Sequence, residues 1–336
     1  MPSTPTPHPR TRTARTRLAG TALAALAMLL VTGASRAEPL RLGIDTRVTA
    51  LALVVAESRG YFEREEVEIE LQPVTVADDL IERLAEEEID LATLGAGSLL
   101  AANGSGVDLR GAYVLGISGA SDAIVSRGEI DDTRLLVGRR VALVPGSAGE
   151  LLLRYRLQLK GSGLTDVETV ALAPDEAAEA LLEGTVDAAV LAEPTLSAVL
   201  GEEGIRVLGT AERPAELISD LLVGSEEVLD ANKEALKGIV RATGRAVAWM
   251  RRNPAESVAL TAEHYGISPE RAARALAGVT LLDVEDNMEI LRGDFQKAFS
   301  AMSEVLADAG PERAREVPSA NRYLSLSALR QVAAGR

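Results

Sequence analysis

The chain contains no cysteine and only two histidines in 336 residues. Without cysteine there can be no disulfide, thiolate metal site, nucleophilic thiol or lipid on a mature N-terminal Cys. His8 lies in an N-terminal leader, which leaves His264 alone in the rest of the chain. One histidine gives no basis for a zinc constellation or a His-activated nucleophile, and next to Tyr265 it reads as a surface or capping residue. Aromatic residues make up 3% of the chain, and no long apolar run follows the leader. These features describe a soluble globular protein.

Basic residues are also scarce, 35 against 50 acidic ones. The leader itself departs from this balance. Arg10, Arg12, Arg15 and Arg17 precede an apolar stretch, Leu18 to Val31, and then Ala34-Ser35-Arg36-Ala37. This layout predicts a secretory signal peptide over residues 1–37, cleaved after Ala37. Its apolar core is shorter than the roughly 20 residues a membrane-spanning helix needs. No adjacent arginine pair occurs within it, which favours general secretion over the twin-arginine route. An exported protein without a lipid anchor is retained best between two membranes, so a periplasmic location is expected.

Residues 1–37 hold five Arg and no acid, so their removal takes the formal charge from −15 to −20. A surface this acidic repels nucleic acid and anionic lipid. No nucleic-acid partner is expected, and the chain is expected to be a monomer.

What the chain does have is a duplication. VADDLIERLAEEEIDLATLGAGS at 76–98 and APDEAAEALLEGTVDAAVLAEPT at 173–195 fall into step when Asp90 is set against Asp187. Upstream, Arg41-Leu-Gly-Ile-Asp45 aligns with Arg140-Val-Ala-Leu-Val144. Each copy reads as strand, small-residue loop, helix, strand, amphipathic helix, strand, which predicts an α/β fold with mostly parallel sheets. Lobe one is expected to comprise 38–120 plus 214–330 and lobe two 121–213, with 331–336 as a tail. The chain crosses out at Gly119-Ala-Ser-Asp122 and returns at Ala211 to Pro214, and two connections suit hinge bending. Beyond Glu216 one more strand is expected over Leu217 to Val223. Helices then start after Ser225 and Ser268 and break at Asn253-Pro254, and Trp249 reads as core.

In open α/β sheets ligands bind beyond the carboxyl ends of strands, where loops enter helices. Four loops qualify: Asp45-Thr46-Arg47-Val48-Thr49, Gly95-Ala96-Gly97-Ser98, Gly146-Ser147-Ala148-Gly149 and Ala192-Glu193-Pro194-Thr195. Arg47 is the one basic residue among them and suits a ligand anion. Free N–H groups around Gly146, Ser147 and Ala148 make a ready anion site. Glu193 either accepts from a ligand amine or caps its own loop, and Asp220, a charge inside a strand, faces either the cleft or a partner Arg. Ser118 and Ser121, flanking the outward crossing, complete the candidate set with Asp45, Thr46, Thr49, Gly97 and Ser98. Gly95-Ala-Gly97 lacks the third glycine of a dinucleotide fingerprint, Leu100 standing in its place, so no nucleotide or other cofactor is expected.

Gly60-Tyr61-Phe62-Glu63, Val67-Glu-Ile-Glu70, Glu88-Ile-Asp90, Gly138-Arg-Arg-Val-Ala142, Pro145-Gly-Ser147, Gly184-Thr-Val-Asp187 and Ala192-Glu193-Pro194 occur in order along the chain. This set resembles the periplasmic solute-binding proteins of the nitrate, sulfonate and taurine class of ABC importers, across the whole mature chain. The resemblance implies a two-lobed type II periplasmic binding fold that closes on a small solute and delivers it to a membrane permease with its ATPase. It implies ligand contacts from the loop after the first strand, Gly97-Ser98, the Ser147 loop and the Glu193 turn. A small organic anion such as a sulfonate is then expected, with a zwitterion or an amine-bearing pyrimidine as the alternative, given Asp45, Glu193 and Asp220. The family often carries an aromatic residue before the Glu-Pro pair, where this chain has Ala192. Relatives that handle thiamine pyrimidine precursors share the fold, but the yeast-type enzyme among them uses Cys and His that this chain lacks. A role in sensing, or an enzyme using Glu193 with Asp45, are the competing readings.

Overall fold

Two aspartates fix the start of the central strand in each half of the molecule. In this computed structural model the Arg41 N–H donates to Asp90 Oδ2 at 2.8 Å, and the Asp90 N–H donates back to the Arg41 carbonyl at 2.9 Å. The second copy repeats both bonds at 2.9 Å, between Arg140 and Asp187. The duplication visible in the sequence is therefore one structural device used twice: an acid closing the helix-to-strand turn satisfies an N–H at the start of the neighbouring strand.

The structure describes Met1 and residues 38–74, 77–212, 218–292, 295, 298–300, 302 and 320–335. Pro39–Arg336 form one compact unit. The signal segment expected over 1–37 lies outside the described residues, apart from Met1.

The strands are β1 (Leu40–Ile44), β2 (Ile69–Pro73), β3 (Leu91–Gly95), β4 (Leu109–Ser118), β5 (Asp122–Arg127), β6 (Arg140–Leu143), β7 (Glu168–Ala171), β8 (Ala188–Ala192), β9 (Ile205–Thr210), β10 (Ser219–Ser225) and β11 (Val279–Leu281). The first sheet has the order β11-β4-β10-β3-β1-β2 and the second β7-β6-β8-β5-β9. The duplicated cores β2-β1-β3 and β7-β6-β8 are parallel and share one order. Helices α1 (Leu51–Ser58), α2 (Tyr61–Arg64) and α3 (Ala77–Ala85) connect the first core, and α4 (Ala96–Gly104) follows β3. In the second copy, α5 (Ala148–Gln158) and α6 (Pro174–Glu183) make the connections and α7 (Leu196–Val199) follows β8. After β10 come α8 (Glu226–Ala231), α9 (Lys233–Arg252), α10 (Pro254–Tyr265), α11 (Pro269–Ala277), α12 (Val284–Ile290) and α13 (Ser327–Ala333).

Both sheets are mixed rather than mostly parallel. The remaining pairings, β3-β10, β10-β4 and β4-β11 in the first sheet and β8-β5 and β5-β9 in the second, are antiparallel. The reason lies in the connections. β5 and β10, each reached by passing from one sheet to the other, arrive without the helical crossover that would turn them parallel to their neighbours, whereas β11 follows α11 within the first sheet. The strand after Glu216 is β10, and Leu217, its expected first residue, lies outside the described residues. β11 was not anticipated: three residues between two helices carry too little period to read.

Local signals set the helix ends well. Ser225 and Ser268 accept from the N–H groups of Val228 and Arg271, and Pro254 begins α10 where α9 stops. α13 continues to Ala333 and packs on α9. Trp249 is half-buried at the edge of an apolar cluster, with the Arg59 guanidinium 3.5 Å from its ring centre, a cation–π contact.

One apolar cluster joins the two sheets. It brings Leu94, Leu99 and Leu221 of the first together with Leu151, Leu152 and Val190 of the second. A methyl on Gly97 would lie 3.1 Å from Leu151, so α4 and α5 approach closely because this position carries no side chain. No helix among the described residues is long and apolar enough to cross a membrane.

Candidate functional site

The loop after β1 bends towards the point where the chain passes between the sheets. The Asp45 N–H donates to Thr93 Oγ1 on β3 at 2.9 Å, and the Arg47 N–H donates to Asp45 Oδ1 at 3.1 Å. The Tyr265 hydroxyl at the end of α10 donates to the Arg47 carbonyl at 3.1 Å. Three contacts thus aim the Arg47 side chain.

That side chain meets two carboxylates. Its Nε donates to Asp220 Oδ2 at 2.9 Å, within the first sheet, while Nη1 and Nη2 reach Asp122 Oδ1 and Oδ2 at 2.9 and 3.1 Å, on the second. The Asp122 and Asp220 side chains are 2% and 1% exposed and Arg47 is half-buried, so this ion triad has two buried carboxylates on one partly exposed cation. Thr49 Oγ1 donates to Asp220 Oδ2 at 2.5 Å, and Ser118 donates to Asp122 Oδ2. Ser118 and Ser121 hydroxyls lie 2.6 Å apart. The crossing itself is clamped from β11's side: the Gly278 carbonyl accepts from the N–H groups of Gly119 and Ser121 at 2.9 and 3.2 Å.

Asp45 is the third carboxylate here. Burial, followed by the negative charge of Asp220, pushes its pKa up to about 7 despite the opposing pull of Arg47. Burial works against the charge on Arg47, yet Asp122 and Asp220 outweigh it and hold the guanidinium charged. Burial and the Asp45 charge raise the Tyr265 phenol, so it stays a neutral donor.

Asp220 keeps one oxygen apart. Its Oδ1 is buried with no hydrogen-bond partner among the described residues. It lies 3.5 Å from the point a Gly95 Cβ would occupy, with Ala148 Cβ 3.8 Å and Ser98 Oγ 3.9 Å from the same point. Residues from both sheets therefore meet beside Gly95, near this oxygen. Ser98 Oγ donates to the Gly146 carbonyl at 3.3 Å, closing the contact between the two glycine-rich loops.

Of the expected residues, Asp45, Arg47, Thr49, Ser118, Ser121 and Asp220 fall in one network, and Gly97, Ser98, Gly146 and Ala148 stand beside it. Thr46 is exposed. At the start of α5, the Ser147 hydroxyl donates to the Val144 carbonyl at 2.6 Å and accepts from the Glu150 N–H. The Gly146 N–H donates to Glu150 Oε2 at 2.9 Å, so this helix start is already served by the chain's own carboxylate. Glu193 turns to its own loop: its oxygens accept from the Ser197 N–H and hydroxyl at 3.1 and 2.7 Å. Burial raises its pKa against these bonds. Its own N–H donates to the Ser121 carbonyl at 2.8 Å, which ties the turn to the crossing. His264 stacks edge-on with Tyr265, and burial lowers its pKa.

Sequence reasoning missed Asp122, Thr93 and Tyr265 as members of the site. Asp122 was read only as the edge of a flexible interval. Its signal was present nonetheless, because an acid opening the apolar strand Ala-Ile-Val requires a cationic partner.

Two mixed α/β sheets joined through a crossing, with strand-end loops of both meeting at one polar network, define the type II periplasmic binding protein fold. The alkanesulfonate-binding protein SsuA from Xanthomonas axonopodis pv. citri, solved with MOPS, superposes with a TM-score of 0.71 at 22% identity, covering 86% of this chain and 98% of that one. The periplasmic aliphatic sulphonate binding protein SsuA of Escherichia coli superposes at 0.69 with 24% identity, over 86% and 92% of the two chains. A Bacillus subtilis protein provisionally named an aliphatic sulfonates-binding protein is 23% identical over 265 residues, 77% of this chain and 78% of its own length. The NMT1/THI5 like family model matches residues 48–257. The chain belongs to the NMT1/THI5-like family.

Proposed function

We propose that this protein is the substrate-binding component of an ABC importer. It captures a small organic solute between a lobe formed by 38–120 plus 214–330 and a lobe formed by 121–213, then presents the closed form to a membrane permease and its ATPase. The observation that carries the reading is the Arg47–Asp122–Asp220 triad. It joins the two sheets at the point where the Gly95 and Gly146 loops meet, so anything bound there touches both lobes and favours the closed state. The relatives named for sulfonate binding support transport of a small solute, and the leader and the absence of cysteine support a periplasmic location without a lipid anchor. Binding rather than catalysis is the role this geometry suits: Arg47 and Glu193 are engaged within the fold, and the lone histidine of the mature chain is stacked on a half-buried tyrosine.

The test is a thermal-unfolding screen of the mature chain against sulfonates, nitrate, amino acids and pyrimidines. A ligand of the native state raises apparent stability by RT ln(1 + [L]/Kd), about 2.7 kcal/mol at a hundredfold excess over Kd. At least one member is expected to raise the midpoint in a saturable manner. A flat response across the panel contradicts the proposal.

A further inference from the structure

We infer that the solute held at this site presents a protonated nitrogen, an ammonium, amidinium or protonated amino-heterocycle, to Asp220 Oδ1 and Asp45. This rests on the solute-binding reading above and specifies its ligand.

The charges around the site do not balance. Asp45, Asp122 and Asp220 are three carboxylates; among the described residues the Arg47 guanidinium bonds Asp122 and Asp220, while Asp45 accepts from the Arg47 backbone N–H. Asp122 takes one N–H from each Nη and Asp220 Oδ2 takes Nε–H, so three of the five Arg47 N–H donors are spent on the chain's own carboxylates. Among the described residues Asp220 Oδ1 has no donor, although the residue is 1% exposed. A buried carboxylate oxygen in that state is costly, and a charged N–H donor is the partner that relieves it. The oxygen lies at the convergence of Gly95, Ser98 and Ala148, where the two lobes meet.

An anion would find the opposite. It would add a further negative charge beside Asp45 and Asp220, while the helix start expected to receive it has its Gly146 N–H bonded to Glu150 and its Ser147 hydroxyl bonded to Val144. The raised pKa of Asp45 fits the same picture, because a carboxylate crowded by another carries its charge more readily once a cation sits between them. Neutral hydroxyl ligands satisfy Oδ1 but leave the excess charge in place.

The experiment uses the mature chain and a panel matched for size and different in charge: butylamine, benzamidine and 4-aminopyrimidine; γ-aminobutyrate; butane-1-sulfonate, butyrate and nitrate. Thermal unfolding ranks them, and calorimetry gives Kd for each binder against wild type and D220N. Solutes carrying a protonated nitrogen are expected to give the largest shifts, with Kd at least tenfold weaker in D220N. D45N, altering a half-buried residue outside the ion triad, is expected to weaken the same solutes and serves if D220N does not fold. The inference is overturned if butane-1-sulfonate, butyrate or nitrate shifts the midpoint as much as the amines, or if D220N or D45N tightens binding. In that event solute binding stands and only the charge assignment fails. A panel that shifts nothing counts against both.

Discussion

Arg47 donates through Nη1 and Nη2 to both oxygens of Asp122, at 2.9 and 3.1 Å, from one sheet to the other and across 75 positions of sequence. The same guanidinium holds Asp220 through Nε. Arg47→Met removes the cation and leaves two buried carboxylates unpaired, which costs about 3–5 kcal/mol. Urea unfolding is the measurement. The triple variant R47M/D122N/D220N removes charge and partner together and is expected to recover most of the loss.

The pKa of Asp45 is raised to about 7 by burial and by Asp220, with Arg47, Thr93 and Tyr265 facing the same carboxyl. Between the usual carboxylate range and pH 7 the folded state therefore binds more protons than the unfolded chain. Asp45's contribution is fully present below about pH 4 and is lost as pH rises towards 7, with a slope of at most about 1.4 kcal/mol per pH unit. Urea midpoints measured from pH 4.5 to 7.5 are expected to fall more steeply for wild type than for D45N. Equal slopes would remove Asp45 from the account.

Gly278 clamps the crossing. A Cβ there would stand 2.8 Å from the Ser121 N and 3.0 Å from its Cα, backbone that cannot swing aside. Gly278→Ala is expected to destabilise by about 1–3 kcal/mol and to weaken solute binding, since Asp122 follows Ser121. Gly104→Ala, where a Cβ meets nothing within 4 Å, is the control and is expected to leave affinity unchanged.

The parts of this structure legible in the sequence are those governed by local pattern. The Ser225 and Ser268 caps and the Pro254 break depend on neighbours a few residues away, while the Asp90 and Asp187 turns, whose partners Arg41 and Arg140 lie 49 and 47 positions earlier, were legible because the pattern occurs twice. Asp220 was legible as an anomaly, a charge inside an apolar strand, but its partner was not, because Arg47 lies 173 positions earlier. Strand direction was also hidden: alternation marks β10 as a strand equally well in either orientation, and only the return from the second sheet makes it antiparallel. The resemblance to solute-binding proteins pointed to loops that the structure brings to, or beside, one polar network. It also pointed to Glu193, and here the structure shows the carboxylate bonded to Ser197 of its own turn.

Glu193→Gln tests that placement. The amide keeps one acceptor for Ser197, so the change is expected to cost about 0.5–1.5 kcal/mol of stability and to alter solute affinity by less than about twofold. A large loss of affinity with the fold intact would return Glu193 to the ligand.

The central claim is that a solute is held between the two sheets by loops of both. Amide hydrogen exchange of the mature chain, saturated with the best solute from the panel and compared with the free chain, reads this most directly. The account predicts added protection at Gly95 to Ser98 on the first sheet, at Gly146 to Ala148 on the second, and at Ser121-Asp122 in the crossing between them. Protection confined to one sheet, or none at any of these segments, would contradict it.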